Sequence, residues 1–188
     1  MAWYEGILLT WNTHLNAAAV GALLEEDSIE LKIYNPSDSA KNLKENNRFT
    51  FSLTDDPYLF YKAALTGHDT INFMEFEEDE IETEGEFFYP KKAARVHLCE
   101  VLEFNEVEIQ DELGHSIVTN VSGHIIEKIG HGDYIQREDP RVDAMVHASR
   151  IPLAEGEYKK RLKEKIYKIL KNQNDDLADK ILKYIEGY

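Results

Sequence analysis

The spacing of apolar positions changes along the chain and divides it into a β-rich body and a helical tail. Tyr4-Glu5-Gly6-Ile7-Leu8-Leu9-Thr10-Trp11 reads as a first strand, Asn12-Thr13-His14-Leu15-Asn16 as the turn after it, and Ala17 to Leu24 as a second strand. Glu25-Glu26-Asp27 leads to a third strand over 28–34, and three successive strands on short connections form an antiparallel meander. A brief helix is expected over 40–46. After it, Arg48-Phe49-Thr50-Phe51-Ser52-Leu53-Thr54 alternates polar with apolar residues, the pattern of a half-buried strand. Asp55-Asp56-Pro57 breaks that strand and starts a helix through Leu65, with Asp56 as N-cap and Pro57 in the first helical position, where a missing N–H leaves no bond unmade.

Two longer β segments, 94–110 and 116–130, flank Asp111-Glu112-Leu113-Gly114, which has the composition of a hairpin turn, and together they predict a long β-ribbon. Asp139-Pro140 repeats the cap-plus-proline signal and opens a helix to Arg150, which Ile151-Pro152 ends. Two further helices are expected over 155–172 and 175–186. Leu162, Ile166, Ile169 and Leu170 in one, and Leu177, Ile181, Leu182 and Ile185 in the other, recur at helical spacing, so the pair forms a hairpin packed on the body or on a neighbouring subunit. The absence of β-α-β alternation argues against a Rossmann-type sheet. The expected fold is mainly β: an antiparallel β-barrel domain over 1–152 with helical additions, and a C-terminal helical hairpin over 153–188.

Composition narrows the function classes. The chain has 188 residues, 43% of them hydrophobic and 30% charged, which suits one main core and excludes a disordered polymer. Its apolar runs are too short to span a bilayer, and the N-terminal residues do not have the pattern of a signal peptide, so a cytoplasmic location is the default expectation. Cys99 is the single cysteine, which removes intrachain disulfides and multi-thiolate metal sites and suits a buried spectator. The formal charge of −15 opposes general affinity for nucleic acid, leaving small molecules and protein as expected partners. Acidic residues concentrate between Glu75 and Glu86, a stretch expected to be a solvated loop or strand edge. The seven histidines supply no three ligands at a diagnostic spacing, and no metal site is expected.

The candidate chemistry lies in Asn16-Ala17-Ala18-Ala19-Val20-Gly21, in the strand Ile29-Glu30-Leu31-Lys32-Ile33-Tyr34, and in Asn35-Pro36-Ser37-Asp38-Ser39-Ala40-Lys41-Asn42-Leu43. Small residues allow a planar ligand close to the backbone, and a Ser-rich turn running into a helix offers hydroxyls and free N–H groups to a phosphate. Ordinary helix capping satisfies Ser37, Ser39 and Asn42 equally well. Asp143, His147 and Arg150 share one side of a helix, where they either orient a ligand or form surface pairs. Trp11, Tyr34 and Phe60 are candidates to line a flat ring, or to be simple core.

These segments resemble the FMN-binding split-barrel proteins, the group of flavin reductase-like and pyridoxamine-phosphate-oxidase-like domains, and within it a mostly archaeal family of uncharacterised function. That family's pattern of Asn-Ala-Ala-Pro-x-Gly, a Ser/Thr turn followed by Asn-Leu, Thr-Asp-Asp-Pro-x-Leu-Phe, and a helix ending in Ala-Ser/Thr-Arg is matched here by Asn16 to Gly21, Ser37 to Leu43, Thr54 to Phe60 and Val142 to Arg150. Ala19 stands where the family has Pro, Ser39 stands where Thr is usual, and the Ser37–Ser39 turn has no Arg of its own.

The resemblance implies an FMN site built from Asn16, Ala17, Ala18, Lys32, Ile33, Tyr34, Asn35, Ser37, Ser39, Asn42 and Arg150, with phosphate counter-charge from Lys41, Arg48 or Arg150. Backbone N–H groups of 16–18 and 32–34, with Lys32 near the pyrimidine end, would then tune the ring; an outward-facing Lys32 is the plainer alternative. It further implies a homodimer with the flavin at the subunit interface. Two functions follow: a flavin-dependent oxidoreductase of flavin reductase-like type, or a protein that binds FMN without turnover for sensing or interaction.

Overall fold

The computed structural model describes residues 2–65, 76–111, 114–134 and 138–188. Six strands close into an antiparallel barrel: β1 (Ala2–Trp11), β2 (Leu15–Leu24), β3 (Ser28–Asn35), β4 (Arg48–Leu53), β7 (Arg95–Asp111) and β8 (Gly114–Ile129), in the order β1-β2-β3-β8-β7-β4. The helices are α1 (Asp38–Glu45), α2 (Pro57–Leu65), α3 (Pro140–Ala148), α4 (Gly156–Leu170) and α5 (Asp176–Glu186). The expected mainly β barrel with a terminal helical pair is therefore the observed architecture. Of the expected turn at 111–114, residues 112 and 113 lie outside those described, as does Glu75 of the acidic stretch. Residues 81–84 and 87–90 of that stretch and the segment after it form a separate hairpin, β5 (Ile81–Glu84) with β6 (Phe87–Pro90), which alternation had not revealed.

Two apolar cores share one wall. Inside the barrel pack Leu8, Leu31, Phe49, Phe51, Cys99, Val121 and Ile125, closed at one end by Ala40 and Leu43 of α1. On the outer face of β1 and β2, Ile7, Leu9 and Ala17 pack against α2, α3, α4 and α5. Ile7, Leu8 and Leu9 are all 0% exposed, because successive side chains on a strand point to opposite faces and both faces of β1 are covered. The helical additions begin as the sequence signals. Asp56 Oδ1 accepts from Tyr58 N at 2.8 Å, and Asp139 Oδ1 from Arg141 N at 2.8 Å. Leu162, Ile166, Leu170, Leu177, Ile181 and Ile185 are buried in the same core as Ile7 and Leu9, whereas Ile169 and Leu182 lie at its margin.

Pairing around the barrel is uneven. β1 and β2 pair along their whole length, and β3 pairs with β8 from Ser28 to Asn35. Between β2 and β3, however, only Ala22↔Leu31, Leu23↔Glu30 and Leu24↔Ile29 pair. Beyond these the two strands part, leaving an opening flanked by the first half of β2 and the second half of β3. Past the barrel, β7 and β8 continue as a two-stranded ribbon through Gln110↔His115, which agrees with the expected long ribbon.

His97 faces the interior from β7, 4% exposed, with Nδ1 at 3.2 Å from the Phe51 carbonyl. Burial pulls its imidazole down to about 4; the hydrogen bond to Phe51 opposes this, and the charges of Lys128 and Arg95 add to it. Cys99, two residues on, is buried with its thiol pushed up by burial.

Two outcomes follow from this packing. Ile166→Ala should cost about 2–5 kcal/mol in denaturant unfolding and leave one cooperative transition, because the terminal helices and β1 share a core. The unfolded chain takes up a proton at its ordinary histidine value of 6.5, whereas folded His97 waits until about 4. Its contribution to stability is complete above that ordinary value and shrinks as pH falls toward the folded one, by about 3 kcal/mol at most. Urea unfolding of wild type and His97→Gln between these pH values checks it: the slope should be shallower in the variant.

Candidate functional site at the parted strands

The cleft follows from the parting of β2 and β3 and from the way α1 is fastened across it. Ser37 caps α1, its Oγ accepting from Ala40 N at 3.2 Å, so the helix starts at Asp38, two residues earlier than its apolar pattern indicates. Asn16 Nδ2 donates to Ser39 Oγ at 2.8 Å, Asn42 Nδ2 to Thr10 Oγ1 at 3.2 Å, and Asn46 Nδ2 to the Trp11 carbonyl at 3.0 Å. These amides bolt α1 to the β1–β2 hairpin, and Lys44 Nζ, 2.6 Å from Glu106, ties it to the ribbon.

Between these elements lies a cleft of about 730 Å³, lined among others by Asn16, Ala17, Ala18, Tyr34, Ser37, Ser39 and Asn42. It continues into a hollow of about 530 Å³, where Ala18, Tyr34, Ser37 and Ser39 are joined by Lys32, Ile33 and Arg150. Ten of the eleven residues expected at the site therefore line one continuous depression. The eleventh, Asn35, is directed elsewhere: its Nδ2 donates to Thr119 Oγ1 at 2.7 Å and to Glu106 Oε1 at 3.1 Å, which clasps the end of β3 to the ribbon.

The basic candidates are separated by their partners. Arg48 is engaged by Glu86 and by Glu100, the latter at 3.3 Å, and Lys41 is 2.8 Å from Asp38. Arg150 lines the hollow and, among the described residues, its guanidinium makes no ion pair. It is placed there by α3, whose N-cap Asp139 is held by Arg141 at 2.6 Å. Burial pushes the Asp139 carboxyl up, but the Arg141 hydrogen bonds and charge outweigh it and keep it below its usual value.

Other expected participants fall outside. Trp11 packs edge-on against Phe87 and Phe88, with centroids 6.0 and 5.2 Å away, and Phe60 is buried in the helical core. His147 Nε2 lies 3.4 Å from Asp143 and is nearly buried, so of that helical trio only Arg150 reaches the cleft. At Gly21 the missing side chain makes room for Trp3, whose indole would stand 2.4 Å from a Cβ there. Sequence reasoning missed the walls made by Trp3, Glu5 and Leu153, which come from β1 and from beyond α3 and carry no motif of their own, and it did not assign Ser149 to the site although Ser149 lies in the matched Ala-Ser-Arg motif.

An antiparallel six-stranded barrel opened along one seam, with a capped helix and small-residue edge at the opening, defines the flavin reductase-like split-barrel fold. Residues 4–129 match the family described as "Protein of unknown function (DUF447) N-terminal domain", and the chain belongs to that family. The match ends at the last residue of β8. The fold is shared with a crystal structure of an FMN-bound DUF447 protein from Methanosarcina mazei (22% identity, 97% of this chain and 93% of that one, TM-score 0.65). It is shared also with flavoredoxin from Methanosarcina acetivorans (14%, 71% and 72%, TM-score 0.54) and with a flavin reductase domain protein from Arthrobacter (14%, 71% and 81%, TM-score 0.56).

Because Ser37 Oγ caps α1, Ser37→Ala should lower the stability of the ligand-free protein by about 1 kcal/mol in urea unfolding. Asp38→Ala, at an exposed first-turn position with no capping bond, should cost less.

Proposed function

We propose that the protein is an FMN-binding flavoprotein acting as an oxidoreductase of flavin reductase-like type. The observation that carries this reading is the continuous cleft at the parted strands, in which hydroxyls, a carboxamide and an arginine with no ion pair meet a wall of alanines. That donor set fits the ligand. The Ser37 and Ser39 hydroxyls, which accept from Ala40 N and Asn16 Nδ2, keep their own O–H to donate to a phosphate, and Arg150 supplies the counter-charge that the Ser37–Ser39 turn lacks. The Asn42 amide, donating to Thr10 Oγ1 and the His14 carbonyl, holds α1 in place. The backbone edges of residues 16, 18, 32 and 33 have no ladder pairing across the seam, and the small side chain of Ala18 on the wall of both hollows leaves room beside them for a flat ring. Bound flavin supplies electron and hydride transfer; the chain's own part is to position it, to keep it from bulk water and, through Lys32 and the strand edges, to favour negative charge on the ring.

In this reading residues 1–152 hold the flavin and 153–188 brace α3. We extend it to a cytoplasmic homodimer in which both copies complete the site; Trp3, a large aromatic 54% exposed on the wall of the hollow, supports that extension. A second reading, in which FMN is held without turnover, is favoured by the position of the His147–Asp143 pair outside the cleft.

The test is the visible spectrum of the purified protein, followed by mass identification of the released ligand. A yellow protein is expected, with Arg150→Gln weakening FMN binding about tenfold or more and leaving the melting temperature of the ligand-free protein unchanged. Oxidation of NADH or NADPH by the loaded protein separates turnover from storage. A colourless protein that takes up no added FMN overturns both readings.

A further inference from the structure

We propose that the open mouth of the barrel, at the end opposite α1, is a second ligand site, which binds a phosphoryl group carrying one ionisable hydroxyl. It is independent of the flavin reading. The mouth is a cavity of about 450 Å³ that shares no lining residue with either hollow at the parted strands.

Its position follows from the register. His97 pairs with Phe51 on β4 and with Lys128 on β8, and Arg95 pairs with Leu53. Phe51 and Leu53 belong to the barrel interior, so paired His97 and Arg95 face inward with them, and Lys128 stands opposite His97 on the same face. Where the rest of the barrel is filled by Leu, Ile, Val and Phe, this end carries two cations and an imidazole.

Those cations have no anion. The chain holds 36 acidic residues against 21 Lys and Arg, yet among the described residues neither Arg95 nor Lys128 forms an ion pair. Arg95 instead lies 5.7 Å from the centroid of the Tyr134 ring, which packs edge-on against Tyr4 at 5.5 Å. Lys128 donates to the Glu26 carbonyl, leaving two of its three N–H bonds. The imidazole completes the set. A carbonyl can only accept, so the neutral His97 ring carries its proton on Nδ1 toward Phe51, and Nε2 remains an acceptor. The other groups that face the mouth are Glu25, whose carboxylate accepts from Ser28 at 3.2 Å, and His131.

The rim is rigid. Gly130 has φ +80°, where a Cβ would stand 2.5 Å from the Ala94 carbonyl, and Gly132 N donates to that same carbonyl at 3.1 Å. Two cations with one buried acceptor match an oxyanion that is negative yet still has a proton to give. A phosphate monoanion or the monoanion of a phosphomonoester has both; sulfate has only the charge.

The experiment is isothermal titration of the full chain at about pH 5, where phosphate and phenyl phosphate are both mainly monoanionic and neutral His97 persists, with sodium phosphate, phenyl phosphate and sodium sulfate in turn. Saturable one-to-one binding is expected, with phosphate or phenyl phosphate about tenfold or more tighter than sulfate. Tighter phosphate identifies a free ion as the ligand and tighter phenyl phosphate an ester. Arg95→Gln and Lys128→Gln should each weaken binding about tenfold, with circular dichroism confirming that they fold, whereas Arg150→Gln should leave it unchanged. Bound phosphate should also raise the His97 titration followed by ring nitrogen resonances. Equal binding of sulfate, no saturable binding, or loss of binding on Arg150→Gln with retention in Arg95→Gln overturns the proposal.

Discussion

Backbone N–H and C=O groups along a strand edge need hydrogen-bond partners, and in this barrel one seam supplies them from the neighbouring strand over three residue pairs alone. The site depends on that shortfall. β2 stays with β1 along its length and β3 stays with β8, so each strand is held straight by its other neighbour while the gap between them widens. Residues 16–21 and 32–35 are thereby left as facing edges with no strand between them. A closed ladder would fill that space with backbone hydrogen bonds and leave no room for a ligand.

The opening is kept in shape by side-chain amides. Asn16, Asn42 and Asn46 join α1 to the first hairpin, and Asn35 with Glu106 and Lys44 joins the same end to the ribbon. The neutral amide bonds among these contribute modestly to stability, on the order of 1 kcal/mol each, and the exposed Lys44–Glu106 pair contributes little more, but together they fix position, and the cleft is bounded by the groups they fix. The apolar contribution to stability comes from elsewhere. Leu8 inside the barrel and Ile7 and Leu9 outside it make β1 the common wall of two cores, so the helical layer that presents Arg150 is welded to the strand that borders the cleft.

Much of this was legible in the sequence where the signal is local. Alternation in 48–54, the Asp-Pro caps at 56–57 and 139–140, and the spacing of Leu162, Ile166 and Leu170 each specify an element through backbone sterics and capping. The small-residue run at 16–21 and the Ser turn at 37–39 pointed to segments that line the cleft. What local pattern could not show is which of two satisfactory bonds a polar group makes. Ser37 both caps a helix and lines the cleft, Asn35 lies in the same stretch and turns away, and Trp11 and Phe60 are aromatic residues near the motifs whose rings belong to other packing.

The sequence by itself determined the six barrel strands and the helices, their order, the acidic balance and the segments around the cleft, because these follow from neighbours a few residues apart. Only the tertiary structure decided which cation is left for the cleft. Lys41 is paired locally with Asp38, three residues before it on α1, but Arg48 and Arg150 come to differ once Glu86 and Glu100 have been brought to Arg48. The same holds at the far mouth, where Arg95, His97 and Lys128 become one cluster through the pairing of β7 with β4 and β8. Charge interactions depend on distance through space, and that distance is set by strand register and helix packing between residues far apart in the chain.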